Sequence, residues 1–140
     1  APPGVELPFS FVRVHNGIAY VSGHGPQQAD GSVAGPFGKV GADISVQAGY
    51  DLAKAVALSM LGSLQRELGD LDRVSAWLRL FGMVNCAPDF AQQPTVINGC
   101  SNLILALYGP KAGAHARSAV GMASLPFNMA VEIEATVAID

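Results

Sequence analysis

Charge is scarce in this chain. Only 14% of its 140 residues are Asp, Glu, Lys or Arg, against about a quarter in an ordinary soluble domain. The eight basic residues are scattered and the formal net charge is -3. A surface that tracks phosphates needs clustered Lys and Arg, so nucleic acid is not an expected partner. No run of about 18 apolar residues occurs, so no membrane-spanning helix is expected. The opening "APPGVELPFSF" lacks a basic segment followed by an apolar run and does not read as a secretory leader. Only two cysteines are present, Cys86 and Cys100, and they form no CxxC. Free thiols in a cytoplasmic protein are the expectation. His15, His24 and His115 lack the spacings of a zinc site, so no metal is expected.

What the chain has instead is apolar bulk, with 50% hydrophobic residues. Its length predicts one domain over 1–140 with one core. A monomer of this size leaves much apolar surface wet, and association with copies of itself is the expected remedy.

Asn16-Gly17 between two β-rich runs predicts a hairpin with strands near 10–15 and 18–23. The Gly- and Pro-rich stretch 23–43 predicts a loop at the rim of a site, with a short strand near 39–41. Over 45–68, Val46, Tyr50, Ala53, Ala57, Met60, Leu61, Leu64 and Leu68 recur at helical spacing, with Ser45 as N-cap and Gly69 as the stop. A buried strand follows near 73–85. A second helix is predicted over 94–108, with Ile97, Cys100, Ile104 and Leu107 inward and Gly109-Pro110 ending it. Strands near 116–124 and 130–139 close the chain. The order ββ(β)-α-β-α-β-β predicts an α+β two-layer sandwich, with two helices on one face of a mixed, mainly antiparallel sheet.

Several motifs are weak. "GPFGKVG" lacks P-loop spacing and the Ser/Thr after Lys39. Cys100 falls on a buried helical stripe, where a thiol acts as a small hydrophobe. His15 belongs to a surface turn, and His24, at the start of the loop, is a candidate to line a pocket. Ser22 has no evident base beside it.

The final strands carry the unusual charges. In the last one, Val131, Ile133, Val137 and Ile139 alternate with Glu132, Glu134 and Thr136. The apolar set is the natural core, so Glu132, Glu134 and Arg117 are expected on the uncovered face. A solvated face would carry such charges equally well. An arginine partly removed from water needs a partner, however, and its planar fork matches a carboxylate. If the two strands pair as a hairpin centred near Phe127, Arg117 lies opposite Val137 and Glu132 opposite Met122. That separates them by roughly 16 Å, so the two do not meet easily within one subunit.

"VSGHGP", "VNCAPDF" with "VING", "ARSAVGMASLP" and "VEIEATVAI" together resemble the reactive intermediate deaminases, the Rid or YjgF family. Members have also been called perchloric-acid-soluble proteins and translation-inhibitor or endoribonuclease proteins. The match runs in order over nearly the whole chain, and its long Gly-rich insertion marks a divergent subgroup. The resemblance implies a chorismate-mutase-like fold in a homotrimer with three intersubunit clefts. It implies hydrolysis of enamine or imine intermediates such as 2-aminoacrylate to 2-oxoacids and ammonia, with no cofactor or metal. It casts Arg117 as the carboxylate clamp, Glu132 as the acid that handles water, Asn98 as the cleft asparagine and Gly23 as a backbone contact. Two positions depart from the family pattern: Ala119 stands where a cysteine is frequent, and Phe9 replaces an aromatic hydroxyl. Glu134 gains no role. A non-catalytic module for small carboxylates would use the same Arg117, and an RNA-cleaving role fits the acidic balance poorly.

Overall fold

The computed structural model describes residues 6–140. Strands β1 (Val12–His15) and β2 (Ile18–His24) form a hairpin, followed by helix α1 (Val46–Leu68), strand β3 (Val74–Asn85), helix α2 (Gln93–Ala112) and strands β4 (Ala116–Met122) and β5 (Val131–Ile139). The strands make one sheet in the order β1-β2-β5-β3-β4. All pairings are antiparallel except β3 with β4. The architecture is the expected α+β layer pair, with both helices packed on one side of a mixed sheet.

Local signals set the local structure. Asn16 and Gly17 both take positive φ, 53° and 76°, as a type I′ turn requires. Ser45 Oγ accepts the Ala48 N–H at 3.1 Å and caps α1, while Gly69 ends it at φ 83°. Val131, Ile133, Ala135 and Val137 of β5 are buried beneath the helices, along with Trp77, Leu80 and Val84 of β3.

Three expectations fail. The final two strands do not form a hairpin. Strand β3 lies between them, and β4 pairs with β3 in parallel through the α2 crossover. Leu107 is 57% exposed rather than buried. Tyr108 takes the inward place instead, its ring 5.7 Å from that of Trp77, before Gly109 breaks the helix at φ 82°. Around 39–41 only Val40 makes bridges, to Ile44 and Cys86. Lys39 Nζ donates to Asn85 Oδ1 at 2.8 Å and to the Ala123 carbonyl at 2.5 Å. The Gly-rich loop is therefore pinned to the sheet rather than shaped as an anion cradle.

The helices meet at Gly99, where a Cβ would overlap the Tyr50 carbonyl oxygen of α1. Backbone cannot swing aside as a flexible side chain can. Gly99→Ala is expected to destabilise the fold by about 2 kcal/mol or more, read as a lower urea midpoint with an unchanged slope.

Candidate functional site

Register decides where each charge points. Arg117 of β4 pairs with Leu80 of β3, which pairs with Ala135 of β5. In-register residues share a face, and Leu80 is fully buried under the helices. Arg117 therefore lies on the helix side at the outer edge of the sheet, not on the uncovered face as expected. It is held there by α2: Nη1 donates to Ser101 Oγ at 3.0 Å and Nη2 to the Pro94 carbonyl at 3.3 Å. The half-buried side chain finds neutral acceptors along the helix while its stem covers apolar surface. Pro94, Asn98 and Ser101 follow one another on a single helical stripe, so Asn98 lies between the two anchors of Arg117. Ala119 is the next inward position along β4. Burial pushes the Cys100 thiol up to about 12 despite the opposing charge of Arg117, so it is no thiolate nucleophile at neutral pH.

Glu132 belongs to the opposite face. It pairs with Met83, and Met83 with Val120, a row turned away from the helices. Its carboxylate occupies the space where a Cβ on Gly23 would stand. Gly23 sits in a β-bulge: Ser22 and Gly23 together oppose Glu134, between the pairs Val21–Ala135 and His24–Ile133. Burial holds the Glu132 carboxyl above the usual range, and the neighbouring charge of Glu134 adds to it. Glu134, unassigned from sequence, thereby gains an electrostatic effect on Glu132. Phe9 stands edge-on to Phe11 at 6.0 Å, and the Phe11 ring lies 5.2 Å from His24. Through Phe11, Phe9 therefore goes with His24 on the α1 side of β2.

The sequence-derived residues thus fall into two groups on one sheet. Arg117, Asn98 and Ala119 lie at the β4–α2 edge. Glu132 and Gly23 lie on β5 and β2, and Phe9 stands apart, in the segment before β1 against Phe11. Arg117 and Glu132 are three residues apart along the strands and two strand spacings across, roughly 14 Å between Cα atoms, on opposite faces. A cavity of about 260 Å³ on the uncovered face is lined by Arg13, Tyr20, Ser22, Arg79, Phe81 and Glu134, and reaches neither Arg117 nor Glu132. Another of about 550 Å³, bordered by Lys39, Cys86, Phe90, Gln93 and Met122, also contains neither.

His24 lines no such opening. It is 2% exposed; Nδ1 donates to the Ser22 carbonyl at 2.5 Å and Nε2 meets Ser63 Oγ of α1 at 2.7 Å. It therefore fixes the bulge from beneath. Sequence reasoning also missed Ser101 and His115, whose Oγ and Nε2 are 2.8 Å apart. The available signal was a serine on each buried helical stripe, each needing a partner. Among the described residues, no group of three or more His, Cys, Asp or Glu is placed to hold a metal. No helix is long and apolar enough to cross a membrane.

A family model described as "YjgF/chorismate_mutase-like, putative endoribonuclease" matches residues 11–135. This chain belongs to the YjgF family. Protein TCP17 of Trypanosoma cruzi is 40% identical over 142 residues, spanning 96% of this YjgF chain and 88% of that protein. The crystal structure of Atu1372 from Agrobacterium tumefaciens has 42% identity and a TM-score of 0.89, covering 98% of this chain and 87% of that one. A Shewanella oneidensis structure described as a "putative endoribonuclease" superposes with a TM-score of 0.90 at 23% identity, covering 99% and 90%. At that identity the likeness is one of fold. With the family comes the chorismate-mutase-like fold.

Burial lowers the pKa of His24 from its ordinary 6.5, aided by the charge of Arg66 and opposed by the bond to Ser22. The folded state thus prefers the neutral ring. Its contribution to stability is complete above the unfolded value and is lost as pH falls through the lowered folded value. The melting temperature is expected to drop as pH falls below about 6.5 in the wild type, and less steeply in His24→Asn.

Proposed function

We propose that this YjgF-family chain hydrolyses small enamine and imine intermediates of the 2-aminoacrylate type to 2-oxoacids and ammonia. The reaction would take place in clefts where the β4–α2 edge of one copy meets the β5–β2 half of another, with three such clefts in a homotrimer. The observation that supports this reading is the division of the site. A guanidinium with free donors lies at one open edge, and a carboxyl with a raised pKa lies on the other half of the sheet.

Two of the five N–H groups of Arg117 are engaged within the chain. The remaining three suffice for a bidentate grip on a substrate carboxylate. That grip fixes the imine carbon. A water held by ionised Glu132 adds its oxygen to that carbon and gives its proton to the carboxylate. The raised pKa makes Glu132 a stronger base once ionised and a ready donor afterwards. The nitrogen takes that proton back, the adduct's hydroxyl gives its own proton to the nitrogen through the same carboxylate, and the C–N bond breaks to release ammonia and leave the 2-oxoacid. Asn98, beside the anchors of Arg117, and the Gly23 backbone are expected to complete the contacts. No cofactor is needed for this balance. Cytoplasmic residence fits two free buried thiols.

A second reading, a module that binds small carboxylates without turnover, is favoured by Ala119, which offers no thiol, and by Phe9, which offers no hydroxyl. The endoribonuclease description attached to the family finds little support in the scattered basic residues of this chain.

Arg117→Ala is expected to lower kcat/KM for 2-aminoacrylate by about 100-fold or more while circular dichroism and assembly size stay unchanged. Binding of 2-oxobutanoate without ammonia release by the wild type would select the second reading. Co-folding Arg117→Ala with Glu132→Gln chains is expected to restore about one cleft in four, as random mixing in a ring dictates; no recovery would place both groups in one subunit. Glu134→Gln removes the neighbouring negative charge. It is expected to move the acid limb of the kcat/KM profile to lower pH.

A further inference from the structure

The turn between α2 and β4 brings a histidine back onto the helix it has just left. Gly109 takes φ 82°, Pro110 follows it, and the chain reverses through Gly113, where a Cβ would press on the Gly109 and Ile104 carbonyls. His115 and Arg117 are two apart in an extended run, so they share a side. Both reach the same hydroxyl. His115 Nδ1 lies 2.8 Å from the Gly113 carbonyl. A carbonyl can only accept, so Nδ1 carries the proton and the neutral ring presents Nε2 as an acceptor. Ser101 Oγ, 2.8 Å from Nε2, is then the donor of that bond. With its proton committed, the serine oxygen turns its lone pairs to Arg117 Nη1 at 3.0 Å. The result is one directed chain, Arg117 to Ser101 to His115 to the Gly113 carbonyl.

We propose that Ser101 and His115 are positioning residues for Arg117: they hold its guanidinium plane at the angle at which the free N–H groups meet a carboxylate. This rests on the reading of Arg117 as a carboxylate clamp. The pair superficially resembles a nucleophilic serine with its base. However, Ser101 is 7% exposed and its oxygen accepts from a guanidinium, which draws electron density away from a would-be nucleophile. The other anchor, the Pro94 carbonyl at 3.3 Å, is longer and fixes only the second nitrogen. Without the serine, the arginine keeps its charge but loses one of its two fixed directions. Binding should weaken more than the chemical step, because the charge remains available once the substrate is seated.

The test combines side-chain NMR with kinetics on the full chain. In the wild type, Arg117 is expected to show slowed rotation about its guanidinium bonds; Ser101→Ala should release it and Ser101→Thr restore it. In the deaminase assay, Ser101→Ala should raise KM for 2-aminoacrylate about tenfold with kcat changed much less, and Ser101→Thr should recover most of the loss. His115→Phe, which removes the acceptor, should behave as Ser101→Ala. In an Arg117→Ala background, Ser101→Ala should add nothing. An Arg117 equally mobile in wild type and Ser101→Ala, or a Ser101→Ala effect that adds in full to Arg117→Ala, overturns the proposal. If the wild type neither binds 2-oxobutanoate nor releases ammonia, the clamp reading fails, and the NMR comparison still decides whether Ser101 and His115 orient the arginine.

Discussion

Strand β4 is bonded to the sheet along one side only, by its parallel ladder to β3. The placement of the candidate site follows from that ladder. A parallel partner requires a crossover, and α2 supplies it. The crossover lays the Pro94–Ser101 stripe beside Arg117, so a side chain on an edge strand acquires two fixed anchors. The ladder also sets the parity of β4. Arg117, Ala119 and Gly121 follow the rows of Leu80, Gly82 and Val84, which face the helices. Had β4 paired with β5, as adjacency in sequence invites, these rows would have been set by different neighbours.

The other half depends on a different device, close approach without a side chain. Gly23 gives the Glu132 carboxylate its room, and the same tight fit keeps water from one side of it. The raised pKa of Glu132 follows from that burial first and from Glu134 second. The electrostatics of Glu132 and the packing are thus one arrangement: the residue that is smallest by necessity faces the carboxyl whose pKa is raised.

What could be read from the sequence was what is local. The Asn16-Gly17 turn, the Ser45 cap, the Gly69 stop and the alternation of β5 each depend on a few adjacent residues. Sheet order depends on pairings across the whole chain, and no short pattern carries it. That is why β3 was not expected between β4 and β5, and why the face of Arg117 was misjudged. The separation of Arg117 from Glu132 was anticipated, but the structural reason is an intervening strand rather than the length of a hairpin. His24 was misread because a glycine on either side resembles a loop. The strand instead runs through to it and seals it under α1. The inward turn of the partly buried Tyr108 in place of Leu107 reflects continued four-residue steps in the final turn of α2, which the three-residue alternative hid.

The bulge at Ser22–Gly23 works as a phase slip. Side chains on a strand alternate with period two, so Val21 and His24, three positions apart, should point opposite ways. The extra residue lets both face inward, Val21 into the core and His24 onto Ser63, while leaving a bare stretch of backbone on the other side. Removing one residue there would leave Val21 and His24 two apart, so regular alternation would keep His24 inward, and only one residue would then oppose Glu134. The added residue therefore doubles the backbone on the Glu132 face, while Val21 and His24 keep the inward places a regular strand would give them.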